Sequence, residues 1–84
     1  MTRTVFSVSV VDGSGNEVYG EPVTARFVLA DGGRQDVTRT TGHDGHAHFA
    51  ENLIGPLRSV TLLAAREQVG PMHSVNGTGV VIEA

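Results

Sequence analysis

Three histidines and an aspartate crowd into one short stretch, Thr40-Thr41-Gly42-His43-Asp44-Gly45-His46-Ala47-His48-Phe49. Neutral imidazoles are ligands for Zn²⁺ or Ni²⁺. Histidine also changes charge near neutral pH, which suits a pH-dependent contact. If the chain is extended after the turn, His46 and His48 project from one face with their backbones about 6–7 Å apart. His43 or Asp44 from the turn could then complete a ligand set. The plainer reading is that both are strand residues facing water, because two histidines on a strand lack the specificity of a Cys₂His₂ spacing. The chain is therefore read as carrying no metal and no cofactor, with His43, His46 and His48 as the candidates should one bind. His73 falls in a late loop and joins no motif.

Other chemistries find less support. A nucleophile needs a neighbouring base and a third group to orient it. Ser7, Ser9, Ser14, Ser59 and Ser74 sit in ordinary strand or turn contexts. Asp12-Gly13-Ser14-Gly15 imitates a nucleophile elbow but lacks the strand–turn–helix setting. Asp12, Ser14 and Asn16 alternate like calcium ligands, yet Glu17 and Val23 stand where such a loop needs Gly and a bidentate Glu. Gly32-Gly33 precedes a strand rather than a helix N-terminus, so no phosphate loop forms. Asn76-Gly77-Thr78 matches a glycosylation acceptor, but with no secretory signal it reads as a turn.

The elements that must hold these residues are strands. Phe6, Val8 and Val10 alternate with Ser7 and Ser9 across residues 4–11, the period-2 pattern of a half-buried strand. Pro22 marks a strand start or edge. Beyond it Val23, Ala25, Phe27 and Leu29 face inward, and Thr24, Arg26, Val28 and Ala30 outward. After Asp31-Gly32-Gly33, residues 34–41 are polar and suit an exposed edge strand, where charge discourages foreign pairing. Asp44-Gly45 turns the chain, since Gly accepts positive φ and Asp can bond its own backbone. A strand from His46 to about Glu51 then points Ala47 and Phe49 inward. Leu53 and Ile54 are expected to close the core before Gly55-Pro56. Residues 58–66 read as one apolar strand, with Val60, Leu62 and Ala64 on one face; Gly55-Pro56 and Gly70-Pro71 enclose it too tightly for a helix. Asn76-Gly77 is a type I′ hairpin signal, leaving Val80 to Glu83 as the last strand.

Size and charge narrow the classes. The chain has 84 residues, no Cys and no Trp. A domain this short buries only about 60–65% of its unfolded surface. Without a disulfide framework, a partner could supply further stability. Absent Cys suits any redox compartment. The net charge is −3, and every basic residue is an isolated Arg. Nucleic-acid binding needs clustered cations and is not expected. No apolar run approaches the roughly 20 residues of a membrane span. Met1-Thr2-Arg3-Thr4-Val5-Phe6-Ser7 has no apolar h-region, so no signal peptide is expected. Residues 1–84 are read as one all-β domain, a single immunoglobulin-like β-sandwich of six or seven antiparallel strands.

Two stretches resemble the bacterial immunoglobulin-like domains of the invasin/intimin type. Val11-Asp12-Gly13-Ser14-Gly15-Asn16-Glu17-Val18-Tyr19-Gly20-Glu21-Pro22-Val23-Thr24 is similar to their strand, Asp-x-x-Gly-Asn turn and Gly-x-Pro-Val-Thr pattern. The stretch from Thr40 to Phe49 is similar to their Thr-Thr-Asp-x-Asp-Gly-x-Ala-x-Phe turn, with Gly42 in place of the usual Asp. The likeness covers about the first three quarters of the chain. Transthyretin-like and carboxypeptidase-regulatory-like sandwiches are the second resemblance. Their hydroxyisourate-hydrolysing members carry a first-strand His and a Tyr-Arg-Gly-Ser ending, where this chain has Val5-Phe6-Ser7-Val8-Ser9-Val10 and Val80-Val81-Ile82-Glu83-Ala84. Both families imply binding, spacing or structural modules.

The resulting expectation is a non-enzymatic module that docks onto a protein partner or large assembly, an accessory or decoration protein of a virion. The alternatives are a stalk domain of a cell-surface adhesin and a metal-binding or hydrolytic transthyretin-like protein. Oligomers fit any of these settings. Val28, Leu63, His46 and His48 are the candidate partner-binding residues. Val28, Ala30, Leu63, Val5, Val11 and Val81 fall on outer strand faces and would mark a partner site if they gathered into one apolar patch.

Overall fold

A computed structural model describes residues 2–64, 66–73 and 75–83. Seven strands follow one another: β1 (Thr2–Val11), β2 (Pro22–Leu29), β3 (Arg34–Thr40), β4 (His46–Leu53), β5 (Leu57–Ala64), β6 (Glu67–Met72) and β7 (Gly79–Glu83). They form two packed sheets, a three-stranded one in the order β4-β1-β7 and a four-stranded one in the order β3-β2-β5-β6. The architecture is the all-β sandwich expected of the alternation. One pairing departs from the antiparallel expectation: β7 runs parallel to β1, with Val8 opposite Val80 and Val10 opposite Ile82.

The core lies between the sheets and is made by the inward members of each alternating run. Phe6, Val8 and Val10 meet Val23, Ala25, Phe27 and Leu29 across the sandwich, with Ala47, Phe49, Leu53, Val60, Leu62, Ala64, Val75 and Ile82 completing it. Phe6 and Phe49 are register partners on β1 and β4, and their rings stack at 4.8 Å. Phe27 meets the edge of Phe6 at 6.2 Å. This aromatic trio compensates for a core otherwise built from aliphatics, since such pairs add about 0.5–1.5 kcal/mol beyond their burial.

Three segments differ from the sequence reading. The apolar run ends at Ala64, and the chain doubles back at Arg66, whose φ is +67°, into the separate strand β6. Asn76-Gly77 makes no hairpin: β6 and β7 belong to different sheets, and the turn carries the chain between layers. It is pinned to β1 instead, Val5 N–H donating to Asn76 Oδ1 (2.9 Å) and Gly77 N–H to the Val5 carbonyl (2.7 Å). Ile54 leaves the core to Leu53 and is 83% exposed, because Gly55-Pro56 turns the chain away immediately after it.

The strands run along the long axis of a body measuring 40 × 19 × 17 Å. One end gathers the β1–β2 loop, the β3–β4 turn, the β5–β6 turn and the finish of β7. We call it the Asp44 end. The opposite, Arg34 end gathers the start of β1, the β2–β3 turn and the β4–β5 and β6–β7 connections.

Candidate functional site

The outer face of the three-stranded sheet carries the histidines. Register places Ser7 opposite His48, Ser9 opposite His46 and Val5 opposite Ala50 on β1 and β4. On the other side of β1, Ser9 faces Val81. The period-2 strand geometry that buries Ala47 and Phe49 therefore exposes both imidazoles, and the turn before them is built as its residues dictate. Gly45, at φ +73°, donates its N–H to the Gly42 carbonyl (3.0 Å), and its own carbonyl accepts from Val10 N–H (2.9 Å), extending the β1–β4 ladder. Asp44 Oδ1 accepts the His46 backbone N–H at 3.0 Å. That hydrogen bond, helped by the nearby imidazoles of His46 and His48, holds the Asp44 carboxyl below its ordinary value of 3.8.

The two rings lie nearly parallel, 11° apart in plane, with centroids separated by 6.0 Å. His46 Nδ1 is 2.9 Å from the Asp44 carbonyl oxygen and 3.6 Å from its carboxylate. His43 does not join them. Its ring stacks on Tyr19 at 4.3 Å, in a second cluster at the Asp44 end. Among the described residues, no three His, Cys, Asp or Glu side chains come together in a metal-holding arrangement. The Asp12 loop is also accounted for locally: Asp12 Oδ1 accepts the backbone N–H groups of Ser14 and Asn16, both at 2.9 Å. The backbone hydrogen bond from Asn16 is the largest of the influences that lower the Asp12 pKa, ahead of that from Ser14.

A groove of about 320 Å³ opens on the same face, lined by Val5, Ser7, His48, Ala50, Gly77 and Thr78 together with parts of Phe6 and Phe49. Its floor is the β1–β4 pair, and one wall is the turn that Asn76 ties to β1. Val5 is 44% exposed and Val81, on the neighbouring strand, 67% exposed. The sequence already places Val5, Val81 and His48 on outer faces. Ala50, Gly77 and Thr78 join them only through strand register and an inter-sheet crossing, which carry no local signal.

Val28 and Leu63 belong elsewhere. They lie on the outer face of the four-stranded sheet, Val28 opposite Ser59 and Leu63 opposite Thr24, at opposite ends of the strand pair. The surface between them is polar: Thr24 and Thr38 share a hydroxyl hydrogen bond of 2.9 Å, and Asp36 lies 3.6 Å from Arg26 and 3.8 Å from Arg34. The four candidate partner residues thus divide between two sheets, and of the expected outer aliphatics only Val5, Val11 and Val81 share the face of the histidines, where Ala50 joins them.

No family model, no curated protein and no solved structure matches the chain. Among the described residues no helix is long and apolar enough to cross a membrane.

Proposed function

We propose that the protein is a non-enzymatic binding module that docks onto a protein component of a larger assembly through the outer face of its three-stranded sheet. The groove beside Val5, His48 and Ala50 carries this reading. Its volume is at the lower limit of small-molecule sites, which run from about 300 Å³ upward. It is suited to one bulky apolar side chain of a partner, the kind of anchor that dominates protein interfaces. His48, Ser7 and Thr78 supply hydrogen-bonding groups around an apolar floor, and exposed Val81 widens the contact.

The non-enzymatic part rests on the setting of the polar groups. Ser7 and Ser9 stand opposite His48 and His46 on an open strand surface, but among the described residues neither hydroxyl is hydrogen-bonded to an imidazole, and His46 Nδ1 is held by the Asp44 backbone carbonyl. A virion and a cell-surface adhesin are both assemblies in which such a module serves, and the identity of the captured partner distinguishes them.

Site-specific photo-crosslinking tests the proposal. A crosslinker at Val81 is expected to trap a protein that one at Val28 does not, with Ala50→Glu reducing that capture at least about tenfold by placing a charge in the groove that receives the partner's anchor. Equal trapping from both faces, or capture untouched by Ala50→Glu in a folded variant, overturns it.

A further inference from the structure

Charge is segregated along the long axis. The Asp44 end holds Asp12, Glu17, Glu21, Asp44, Glu67 and Glu83 against Arg66 alone, a formal −5. At the Arg34 end, Arg3, Arg34 and Arg58 outweigh Asp31, a formal +2. The acids and bases between them cancel, Arg26 beside Asp36 (which Arg34 also approaches, at 3.8 Å) and Arg39 paired with Glu51 at 3.2 Å, so the two ends account for the whole net charge of −3. Each end also presents an exposed apolar group. Tyr19, 63% exposed and stacked on His43, forms a flat platform at the Asp44 end. Ile54 projects from the Arg34 end.

We propose that copies of this chain associate head to tail, the Ile54 tip of one seated on the Tyr19–His43 platform of the next inside a rim of opposite charges. An apolar centre with a polar, charge-complementary rim is the ordinary anatomy of a protein interface. The contact is heterologous, so each added copy leaves a free platform and a free tip, and the product is a linear array. The tip and the platform are surfaces distinct from the groove, and variants at the ends leave Val5, His48 and Ala50 untouched.

Magnitude sets where the contact operates. The cross-section is 19 × 17 Å. That offers roughly 300 Å² on each side, well under the ~800 Å² per partner of a standard interface. Free copies therefore associate weakly, and the contact becomes effective when copies are held close, where effective concentrations reach about millimolar.

Small-angle scattering and dilution NMR on the full chain at millimolar concentration test the proposal. At about 0.02 M salt the maximum dimension is expected to grow toward twice the 40 Å length. Association is expected to fall at least about tenfold at about 0.5 M salt, where the Debye length drops from roughly 20 to roughly 4 Å. Dilution shifts should centre on Tyr19, His43 and Ile54, and Ile54→Asn should remove them. The decisive arm is a charge exchange. One variant carries Glu17→Lys, Glu67→Lys and Glu83→Lys; the other carries Arg34→Glu and Arg58→Glu. Each makes both ends alike, so neither should self-associate, while the mixture should. Circular dichroism and thermal melts establish that both are folded. Growth without elongation, association indifferent to salt, or folded variants that fail to associate when mixed overturns the proposal.

Discussion

Gly45 packs against Glu17 so closely that a Cβ built on the glycine would lie 2.8 Å from Glu17 Cβ and 3.2 Å from its Cα. The β3–β4 turn and the β1–β2 loop touch at this point, and the residue in the turn also has φ +73°. Gly45→Ala therefore meets two obstacles together, a left-handed backbone and backbone-level crowding. Strain of the first kind alone costs of order 1–3 kcal/mol. Urea unfolding should show a loss of at least about 2 kcal/mol, whereas Gly13→Ala, where a Cβ meets nothing within 4 Å and φ is ordinary, should stay within about 0.5 kcal/mol.

Phe49 carries the next expectation. It is fully buried, stacks on Phe6 at 4.8 Å, and belongs to the strand that presents His48. Truncating a buried Phe to Ala costs about 3–5 kcal/mol. Small domains lie near the bottom of the 5–15 kcal/mol range of total stability, so Phe49→Ala should leave the chain largely unfolded near 37 °C. Phe49→Leu keeps most of the apolar volume and should remain folded with a lowered melting temperature. A melt of Phe49→Ala as high as that of the parent would place the core elsewhere.

Acid should weaken the fold through its two loop aspartates. Asp12 is lowered chiefly by the backbone N–H of Asn16, and Asp44 chiefly by that of His46. A carboxyl whose folded pKa lies below its unfolded value stabilises the native state in its charged form. That contribution is complete above the ordinary value of 3.8 and disappears as pH falls through the lowered folded values. Melting temperature should therefore drop below about pH 4. In the double variant Asp12→Asn, Asp44→Asn the amide oxygens still accept the backbone hydrogen bonds but cannot titrate. Its decline over the same window should be shallower, and parallel pH profiles would argue against these two groups.

The alternation of Phe6, Val8 and Val10, and of Val23 through Leu29, states which face of each strand is buried, because one register satisfies the whole apolar set. The Asp44-Gly45 corner is equally local, since its turn geometry is written in two adjacent residues. β6 is harder to read: in Glu67-Gln68-Val69-Gly70-Pro71-Met72 only Val69 and Met72 are apolar, and an edge strand covered on one side needs no more. Asn76-Gly77 shows a different shortfall. A turn signal says where the chain reverses, while the choice of sheet on either side is made by long-range pairing, here of β7 with β1. The groove and the two charged ends follow from long-range pairings of this kind, β4 and β7 with β1 and β6 with β5, so they become visible only once Ala50, Gly77 and Thr78, or Glu67 and Glu83, are brought together.

Thr41 ties the Tyr19–His43 platform to the body of the sandwich. It is buried, its hydroxyl donates to the Val18 carbonyl at 2.7 Å and accepts the Glu21 N–H at 2.8 Å, and its backbone bonds Glu21 and Gly20 as well. Thr41→Val keeps shape but removes both hydroxyl bonds, leaving a half-buried carbonyl and N–H without that partner, at about 1–3 kcal/mol. Thr41→Ser keeps the hydroxyl and should cost less. The two variants separate a packing role from a polar one. If the hydroxyl holds the loop that carries Tyr19 against the turn that carries His43, Thr41→Val should loosen that stack, seen as faster amide exchange at residues 17–21 than in Thr41→Ser. Equal exchange in the two would show that the backbone bonds alone hold the platform in place.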